Sequence, residues 1–300
     1  VHFKGDVVGG QVKEGKGKAE NNEVLLKNTA AKKVRVDGYV YGARTEGGDA
    51  IKNKVVLDGV AGFGGKKVYG AAASEAGNIK ENTVEILKGN GGTSVDTVIG
   101  GESQGGTVEK NKVKVDTTGA VTNVIGGQSA EKGNVIGNEV DVQAATGLVD
   151  VVGGRTEAGT AEGNKVKIGG AAVIGELHPT GHPNHPYNPT SGRVIGGQSE
   201  GGDVRNNEVT IENDGEVGQF VYGGLTTGDG KAEGNTVKIT KGTVIGTPQQ
   251  GTGGSVWGGR SVDGAVRNNT VEISGRRLTA DPPDVPPVTP PGAPHGTYIE

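Results

Sequence analysis

Short segments with a two-residue hydrophobic period recur along most of the chain. The segment V-x-G-[GA] occurs nine times, beginning at Val7, Val40, Val68, Val98, Val124, Val151, Val194, Val221 and Val256. Alternation of this kind is typical of a β-strand that is buried on one face. Because the segment returns at intervals of 26 to 43 residues, the chain is a tandem repeat.

A second segment, N-x-V-x-[ILV], follows each copy of the first. Its asparagines are Asn22, Asn53, Asn82, Asn111, Asn138, Asn164, Asn207, Asn235 and Asn269. A small apolar residue stands three positions before every one of these asparagines, from Ala19 to Val266. Each repeat therefore predicts three short strands that are joined by corners rich in Gly and Asn.

The repeats predict an all-β fold, a single parallel β-helix (β-solenoid) of about nine coils with three short strands per coil. No segment has a sustained 3.6-residue period, and Gly inside a helix costs about 1 kcal/mol, so we reject helical repeats. Stacked coils about 4.8 Å apart give a rod of about 43 Å. We assign residues 1–273 to the solenoid, with a His/Pro-rich insertion at 174–193, and residues 274–300 to an extended Pro-rich tail or linker.

The repeated corner residues predict contacts from coil to coil. A side-chain amide of one coil can bond the amide of the next, so we expect the nine asparagines to form an axial ladder. Gly is expected where a corner needs a positive φ or a close backbone approach. The outward residues of the N-x-V-x-[ILV] strand, such as Lys112 and Glu139, often change charge sign from repeat to repeat. We interpret this surface as a solvated, self-complementary face, and a ligand surface there is the less favoured alternative.

Composition narrows the class of protein further. Gly supplies 59 of 300 residues without a three-residue period, aromatics are 3%, and Cys and Met are absent. Collagen and a disulfide framework are thereby excluded. No apolar run reaches the length of a membrane span, so we predict no membrane insertion by this segment. The net charge of −4 gives no footprint for nucleic acid. No cofactor is predicted.

Two G-x-S-x-G motifs, centred on Ser103 and Ser199, resemble the nucleophile elbow of hydrolases. That motif needs a strand-to-helix turn with His and Asp partners. Both serines instead occupy a repeated corner position, which is shared by Thr45, Ser129, Thr156, Thr226 and Ser261. The acids Asp49, Asp203 and Asp263 lie in separate repeats without the spacing of a catalytic pair. We therefore predict no catalytic residue and no enzyme.

The insertion and the tail supply the candidate contact residues. The insertion reads H-P-T-G-H-P-N-H-P-Y-N-P, and its candidate partner contacts are His178, His182, His185 and Tyr187. Pro after each His forbids a helical metal site, and two imidazoles on one polyproline face are too few for structural zinc, so a metal site is the less favoured reading. In the tail, Tyr298 and Ile299 are candidates for an added strand on the open edge of a neighbouring copy.

Units such as V-I-G-G-Q-S-E-G-G-D-V-R-N-N-E-V-T-I (194–211) resemble the β-helical passenger repeats of bacterial autotransporter adhesins. The resemblance covers residues 7–273 and implies a right-handed β-helix on the bacterial cell surface or released from it. It also implies export in an unfolded state, which the lack of Cys would suit.

Two functions follow as expectations. The first is a non-enzymatic extracellular adhesin or stalk that presents loops to a protein or glycan surface. The second is a self-assembling filament subunit, a homopolymer joined through open solenoid ends and the tail, because unpaired strand edges invite association.

Overall fold

A computed structural model of the chain describes residues 1–60, 63–175, 192–241, 243–244 and 255–274. Every regular element in these ranges is a β-strand, and every strand pairing is parallel. The repeats stack as coils of a β-solenoid, which confirms the predicted fold class. Among the described residues we find no helix long and apolar enough to cross a bilayer.

Each coil contributes one strand to each of three surfaces. The strands of the V-x-G-[GA] segments form what we call the glycine sheet: Val7–Val12, Val40–Thr45, Phe63–Ala73, Val95–Ser103, the second half of Lys112–Ser129, Asp150–Thr156, Arg193–Ser199, Phe220–Thr226 and Ser255–Ser261. The strands that follow each repeated Asn form the asparagine sheet: Glu23–Lys27, Lys54–Asp58, Thr83–Leu87, the first half of Lys112–Ser129, Glu139–Leu148, Lys165–Ile174, Glu208–Glu212, Thr236–Thr240 and Thr270–Ser274.

The third surface is a sheet of nine two-residue strands. They are Ala19–Glu20, Ala50–Ile51, Ile79–Lys80, Val108–Glu109, Val135–Ile136, Ala161–Glu162, Val204–Arg205, Ala232–Glu233 and Val266–Arg267. Four further short strands extend individual coils: His2–Phe3 pairs with Arg35–Val36, and Glu216–Val217 pairs with Thr243–Val244. Several strands, such as Lys112–Ser129, turn a corner without a break, so the glycine and asparagine sheets join into one 19-stranded sheet.

The core is a set of aliphatic columns that run the length of the solenoid. Val98 lies opposite Val124, which lies opposite Val151, and all three are fully buried. On the asparagine sheet, Val115 and Val142 repeat the arrangement. Each side chain packs between identical or similar neighbours above and below. Burial of such a side chain contributes about 1.5–3 kcal/mol, and stacking supplies that burial coil after coil.

The first glycine of V-x-G-[GA] allows the coils to approach closely. A Cβ built on Gly126 would lie 2.4 Å from the carbonyl oxygen of Gly153 in the next coil. The second glycine is less constrained, because Ala43 and Ala71 occupy its position in two coils and both are fully buried. The expected close backbone approach is confirmed at the first position.

The residue before each ladder asparagine has a left-handed backbone. Six of these residues are not glycine: Asn21, Lys52, Glu81, Lys110, Asn206 and Asn268, with φ between 53° and 57°. The other three are Gly137, Gly163 and Gly234, with φ between 62° and 66°. This left-handed residue turns the chain from the short sheet into the asparagine sheet, so the turn is built the same way in all nine coils.

The repeated asparagines form a continuous ladder inside the corner. Asn138 Nδ2 donates to Asn164 Oδ1 at 2.9 Å and to the Val108 carbonyl oxygen at 3.1 Å. Asn138 Oδ1 accepts from Asn111 Nδ2 at 2.9 Å and from the Asn111 backbone N–H at 3.0 Å. The same pattern links the asparagines from Asn22 to Asn269. The predicted ladder is confirmed, and it uses both amide hydrogens and the amide oxygen of Asn138.

Candidate binding face

The serines of both G-x-S-x-G motifs lie inside a corner of the solenoid. Ser103 is fully buried, its Oγ donates to the Gly77 carbonyl oxygen at 2.7 Å, and the Gly106 N–H donates to that Oγ at 2.9 Å. Ser199 makes the equivalent bonds to the carbonyl of Gly159 and the N–H of Gly202. Both hydroxyl groups tie the corner of one coil to that of the preceding coil, as the repeated position predicts.

The three acids considered for catalysis lie apart. Asp49 accepts hydrogen bonds from the backbone and side chain of Asn78, and Asp203 accepts one from the backbone N–H of Lys231 at 2.7 Å. That backbone bond is the largest cause that lowers the pKa of Asp203, and a bond from Arg205 adds to it. Both carboxylates act as corner acceptors in different coils, and Asp263 is exposed in the last coil.

The other predicted contact residues are not part of the described structure. His178, His182, His185 and Tyr187 in the insertion, and Tyr298 and Ile299 in the tail, lie outside the described residues. Within the described ranges no group of three or more His, Cys, Asp or Glu side chains could hold a metal ion. The predicted loop and tail contacts therefore stay predictions.

The outward side of the asparagine sheet carries alternating charges, and we call it the charged face. Lys112 pairs in register with Glu139, with Nζ 3.1 Å from Oε2. Lys54 and Glu85 also lie 3.1 Å apart, as do Lys238 and Glu208. A shallow groove of about 590 Å³ crosses the middle of this face. Many of its charges are neutralised by neighbours from nearby coils, which fits a solvated, self-complementary surface.

The outward side of the glycine sheet is different, and we call it the stripe face. Its middle column consists of Val8, Tyr41, Tyr69, Ile99, Ile125, Val152, Ile195, Tyr222 and Trp257. These residues point away from the core, yet Ile99 is 1% exposed and Ile195 is fully buried. Two columns of mainly polar side chains flank them. The solenoid thus carries an apolar stripe on an outer surface.

Aromatic side chains are concentrated on the stripe face. Seven aromatic side chains are described in the structure, and all but Phe3 lie here: Tyr39, Tyr41, Tyr69, Phe220, Tyr222 and Trp257. They form two clusters, one towards each end. Tyr41 stacks on Tyr69 with ring centroids 4.8 Å apart, and Tyr222 stacks on Trp257 at the same distance. Stacked rings in adjacent coils stabilise the column.

Three cations of the stripe face lie over these rings. Arg44 lies 5.5 Å from the ring centre of Tyr41, Lys66 5.5 Å from that of Tyr39, and Arg260 5.5 Å from that of Trp257. Cations over a ring face are attracted by its quadrupole.

The middle of the stripe face holds two arginines in different environments. Arg193 is paired with Asp150, with Nε 2.8 Å from Oδ1 and Nη2 2.5 Å from Oδ2. Arg155 lies in the neighbouring polar column, where its Nε donates to Gln198 Oε1 at 3.0 Å. Within the described residues Arg155 has no carboxylate within ion-pair distance. Arg155 therefore keeps a guanidinium charge without a matched anion.

Burial shifts the titration of several groups on this face. It raises the pKa of Tyr41 to about 12 and that of Tyr69 further. Burial also raises the pKa of Glu102, against the attraction of Lys67, and lowers the pKa of the Arg155 guanidinium. Each shift disfavours the charged form, as expected for polar groups that are removed from water above an apolar stripe.

Sequence reasoning missed the stripe face. The signal lies in the variable position of V-x-G, which a two-residue period places on the outer side of the strand. That position holds Tyr41, Tyr69, Tyr222 and Trp257 in a chain with only ten aromatic residues, a concentration that single repeats do not reveal.

Comparison with known proteins adds no family assignment. No protein-family model, curated protein sequence or solved structure matches this chain.

Proposed function

We propose that the protein is a non-enzymatic extracellular rod of a bacterial cell-surface protein, acting as an adhesin or stalk that binds a partner through the stripe face. The observation that supports this function is the concentration of six described aromatic side chains on one outer face. In a chain with 3% aromatics, Tyr39, Phe220 and Trp257 remain exposed or partly exposed on this face, which favours recognition over packing of the core.

The side chains at the repeated corners have a structural role, although hydroxyl and amide groups of the same types serve as catalytic groups in enzymes. The Ser103 and Ser199 hydroxyls and the Asn138 amide are buried and bonded between coils. A nucleophile needs a base within hydrogen-bond reach and access to substrate. These groups have hydrogen-bond partners that serve the stack instead, which favours a scaffold.

Extracellular location is part of the proposal and draws on the resemblance to autotransporter passengers. A solenoid with no Cys folds without disulfides, since ladders and stacked columns join its coils. Such a rod suits export in an unfolded state followed by folding outside.

Binding of protein-coated beads to cells tests the proposal. Beads carrying the 300-residue chain are compared with beads carrying Tyr39→Ala/Trp257→Ala, which removes two partly exposed rings of the stripe face. The matched control is Lys114→Ala/Lys165→Ala on the charged face. We expect the control to bind epithelial or bacterial cells like the original chain and the ring variant to lose binding. Equal binding by all three proteins, or none above bare beads, would refute the proposal.

A filament subunit is the second candidate, supported by the polarity of the asparagine ladder. Asn269 donates to the Ala232 carbonyl oxygen, while its second amide hydrogen has no partner among the described residues. Asn22 Oδ1 likewise accepts no bond there. In addition, Val271 is 43% and Ile273 66% exposed. The ladder donor left on the last described coil of one copy can therefore bond to the ladder acceptor left on the first coil of another.

Light scattering separates the two candidates. A filament subunit predicts a mass that rises with concentration and falls in Ile273→Asp, because a charge would enter the joint. A constant monomer mass at high concentration would exclude the filament and leave the adhesin.

A further inference from the structure

We propose that the stripe face binds a linear acidic polysaccharide that lies along the rod axis, with carboxylates at Arg155, Arg260 and Lys66 and sugar rings against the exposed aromatic surfaces. The inference rests on the proposed function and names the chemical class of the partner. It draws on three independent features of the face: unmatched cations, amides in register, and aromatic rings at both ends.

The first feature is a surplus of positive charge on one face of an acidic protein. The chain has a net charge of −4, yet Lys66, Arg155 and Arg260 on the stripe face have no carboxylate within 4 Å among the described residues. The acids of the face have cations nearby: Asp150 is held by Arg193, and Glu102, two coils from Arg155 in the same column, is attracted by Lys67. Guanidinium groups bind carboxylates in a bidentate geometry, and the low polarity of the stripe strengthens such a bond.

The second feature is a series of uncharged hydrogen-bonding groups between the cations. Gln128 and Gln198 flank Arg155 in the same column, and Asn123 lies across the stripe. All three side chains are partly exposed. Amides donate and accept, which matches the hydroxyl groups of a sugar better than the acceptor-only oxygens of a phosphate. This composition favours a polyhydroxylated acid over a nucleic acid.

The third feature is the position of the aromatic clusters. Tyr69 and Tyr222 belong to the third and eighth coils, so the clusters lie about 24 Å apart at about 4.8 Å per coil. Tyr39 is 36% exposed, and Phe220 and Trp257 are partly exposed. Tyr39 stands at 89° to Tyr41 and 86° to Tyr69, so its ring lies outside their stack, and a ring face carries partial negative charge that attracts the C–H groups of a sugar.

The shape of the face favours a polymer over a small ligand. Each coil repeats the same three columns. In the three middle coils, from Asn123 and Gln128 to Arg193 and Gln198, an extended chain along the axis meets polar side chains on both sides of the stripe. The charged face lacks this combination, because its lysines alternate with acids and no described aromatic side chain is in register there.

Affinity measurements with defined polymers test the inference. The probes are sodium polygalacturonate and alginate, with dextran as the neutral polymer and poly-L-glutamate and single-stranded DNA as other polyanions. The 300-residue chain is compared with Lys66→Gln/Arg155→Gln/Arg260→Gln and with the control Lys114→Gln/Lys132→Gln/Lys165→Gln, which changes the net charge equally. Thermal unfolding establishes that each variant folds. If the triple variant does not fold, Arg260→Gln alone replaces it in the comparison.

We expect saturable binding of a uronate polymer, weakened at least about tenfold in the stripe-face triple variant and little changed in the control, since lost charge-assisted bonds cost at least about 1.4 kcal/mol together. Equal binding of dextran, poly-L-glutamate or DNA would overturn the assignment to acidic polysaccharide. So would equal loss in both triple variants, or no uronate binding. If uronates fail while bead binding still depends on Tyr39 and Trp257, only this inference falls; if both fail, the proposed function falls too.

Discussion

Asn138 donates two hydrogen bonds to one oxygen of Asn164, from Nδ2 at 2.9 Å and from its backbone N–H at 3.0 Å. The same oxygen therefore satisfies a side chain and a turn of the preceding coil. Because the pattern repeats from coil to coil, the amide column fixes the axial register of the stack.

Removal of one amide from this column should destabilise the solenoid. Asn138→Ala leaves the Asn111 donors and the Val108 carbonyl without their partner, and we expect a loss of about 1–3 kcal/mol for each buried group left unsatisfied. Asn134→Ala is the control, because Asn134 is exposed in the same coil and bonds one backbone N–H. Urea unfolding measures both. Equal midpoints for the two variants would contradict a structural ladder.

A charge introduced in the core should lower the stability of the fold far more than a charge introduced on the surface. Val140 is 2% exposed and stacks between Val113 and Val166, so Val140→Asp should cost about 3 kcal/mol or more. Thr210→Asp should cost little, because Thr210 is partly exposed between Lys167 and Lys238. Thermal unfolding of both variants checks the strand register. A smaller loss for Val140→Asp would reverse the assigned faces.

The two glycines of one V-x-G-G segment should respond differently to a methyl group. Gly126→Ala places Cβ against the fixed Gly153 carbonyl, so we expect a loss of about 1–3 kcal/mol. Gly127→Ala meets the Asn138 side chain instead, and alanine already occupies this position at residues 43 and 71. It should therefore be tolerated better. Denaturant unfolding measures the free energy of unfolding of both variants. A greater loss of stability for Gly127→Ala would contradict the described coil packing.

Alkaline pH should weaken the Tyr41 cluster. Burial raises the pKa of Tyr41 from 10.0 to about 12, so the unfolded chain loses this proton first. The stability due to neutral Tyr41 is fully present below pH 10 and is lost as the pH rises through about 12. Tyr41→Phe should therefore flatten the decline of unfolding free energy between pH 10 and 12. Parallel declines in the two proteins would show that Tyr41 ionises equally easily when folded.

Much of the scaffold could be predicted because its signals are local and repeated. Val140, Asn138 and Ser103 each occupy a position that recurs in most coils, so pattern alone indicated a core strand, a ladder and a corner. The two-residue period assigned their faces correctly, since Val140 and Asn138 are buried.

The stripe face could not be predicted by the same reasoning. A two-residue period places Ile99 and Tyr69 on the outer side, and a single repeat does not show what covers them. Their burial depends on neighbours 26 to 30 residues away, since Ile99 packs between Tyr69 and Ile125 only after the coils stack. Arg155 beside Gln198 is a similar case, separated by 43 residues in sequence.

Protection of single introduced cysteines tests the central claim, that a partner binds on the stripe face. Because the chain has no Cys, Gln198→Cys and Thr210→Cys report separately on the stripe face and the charged face. The rate of maleimide modification is measured for each with and without saturating polygalacturonate. We predict that the polymer slows modification at position 198 and leaves position 210 unchanged. Unchanged modification at 198 with polymer bound, or equal protection at both positions, would contradict binding on the stripe face.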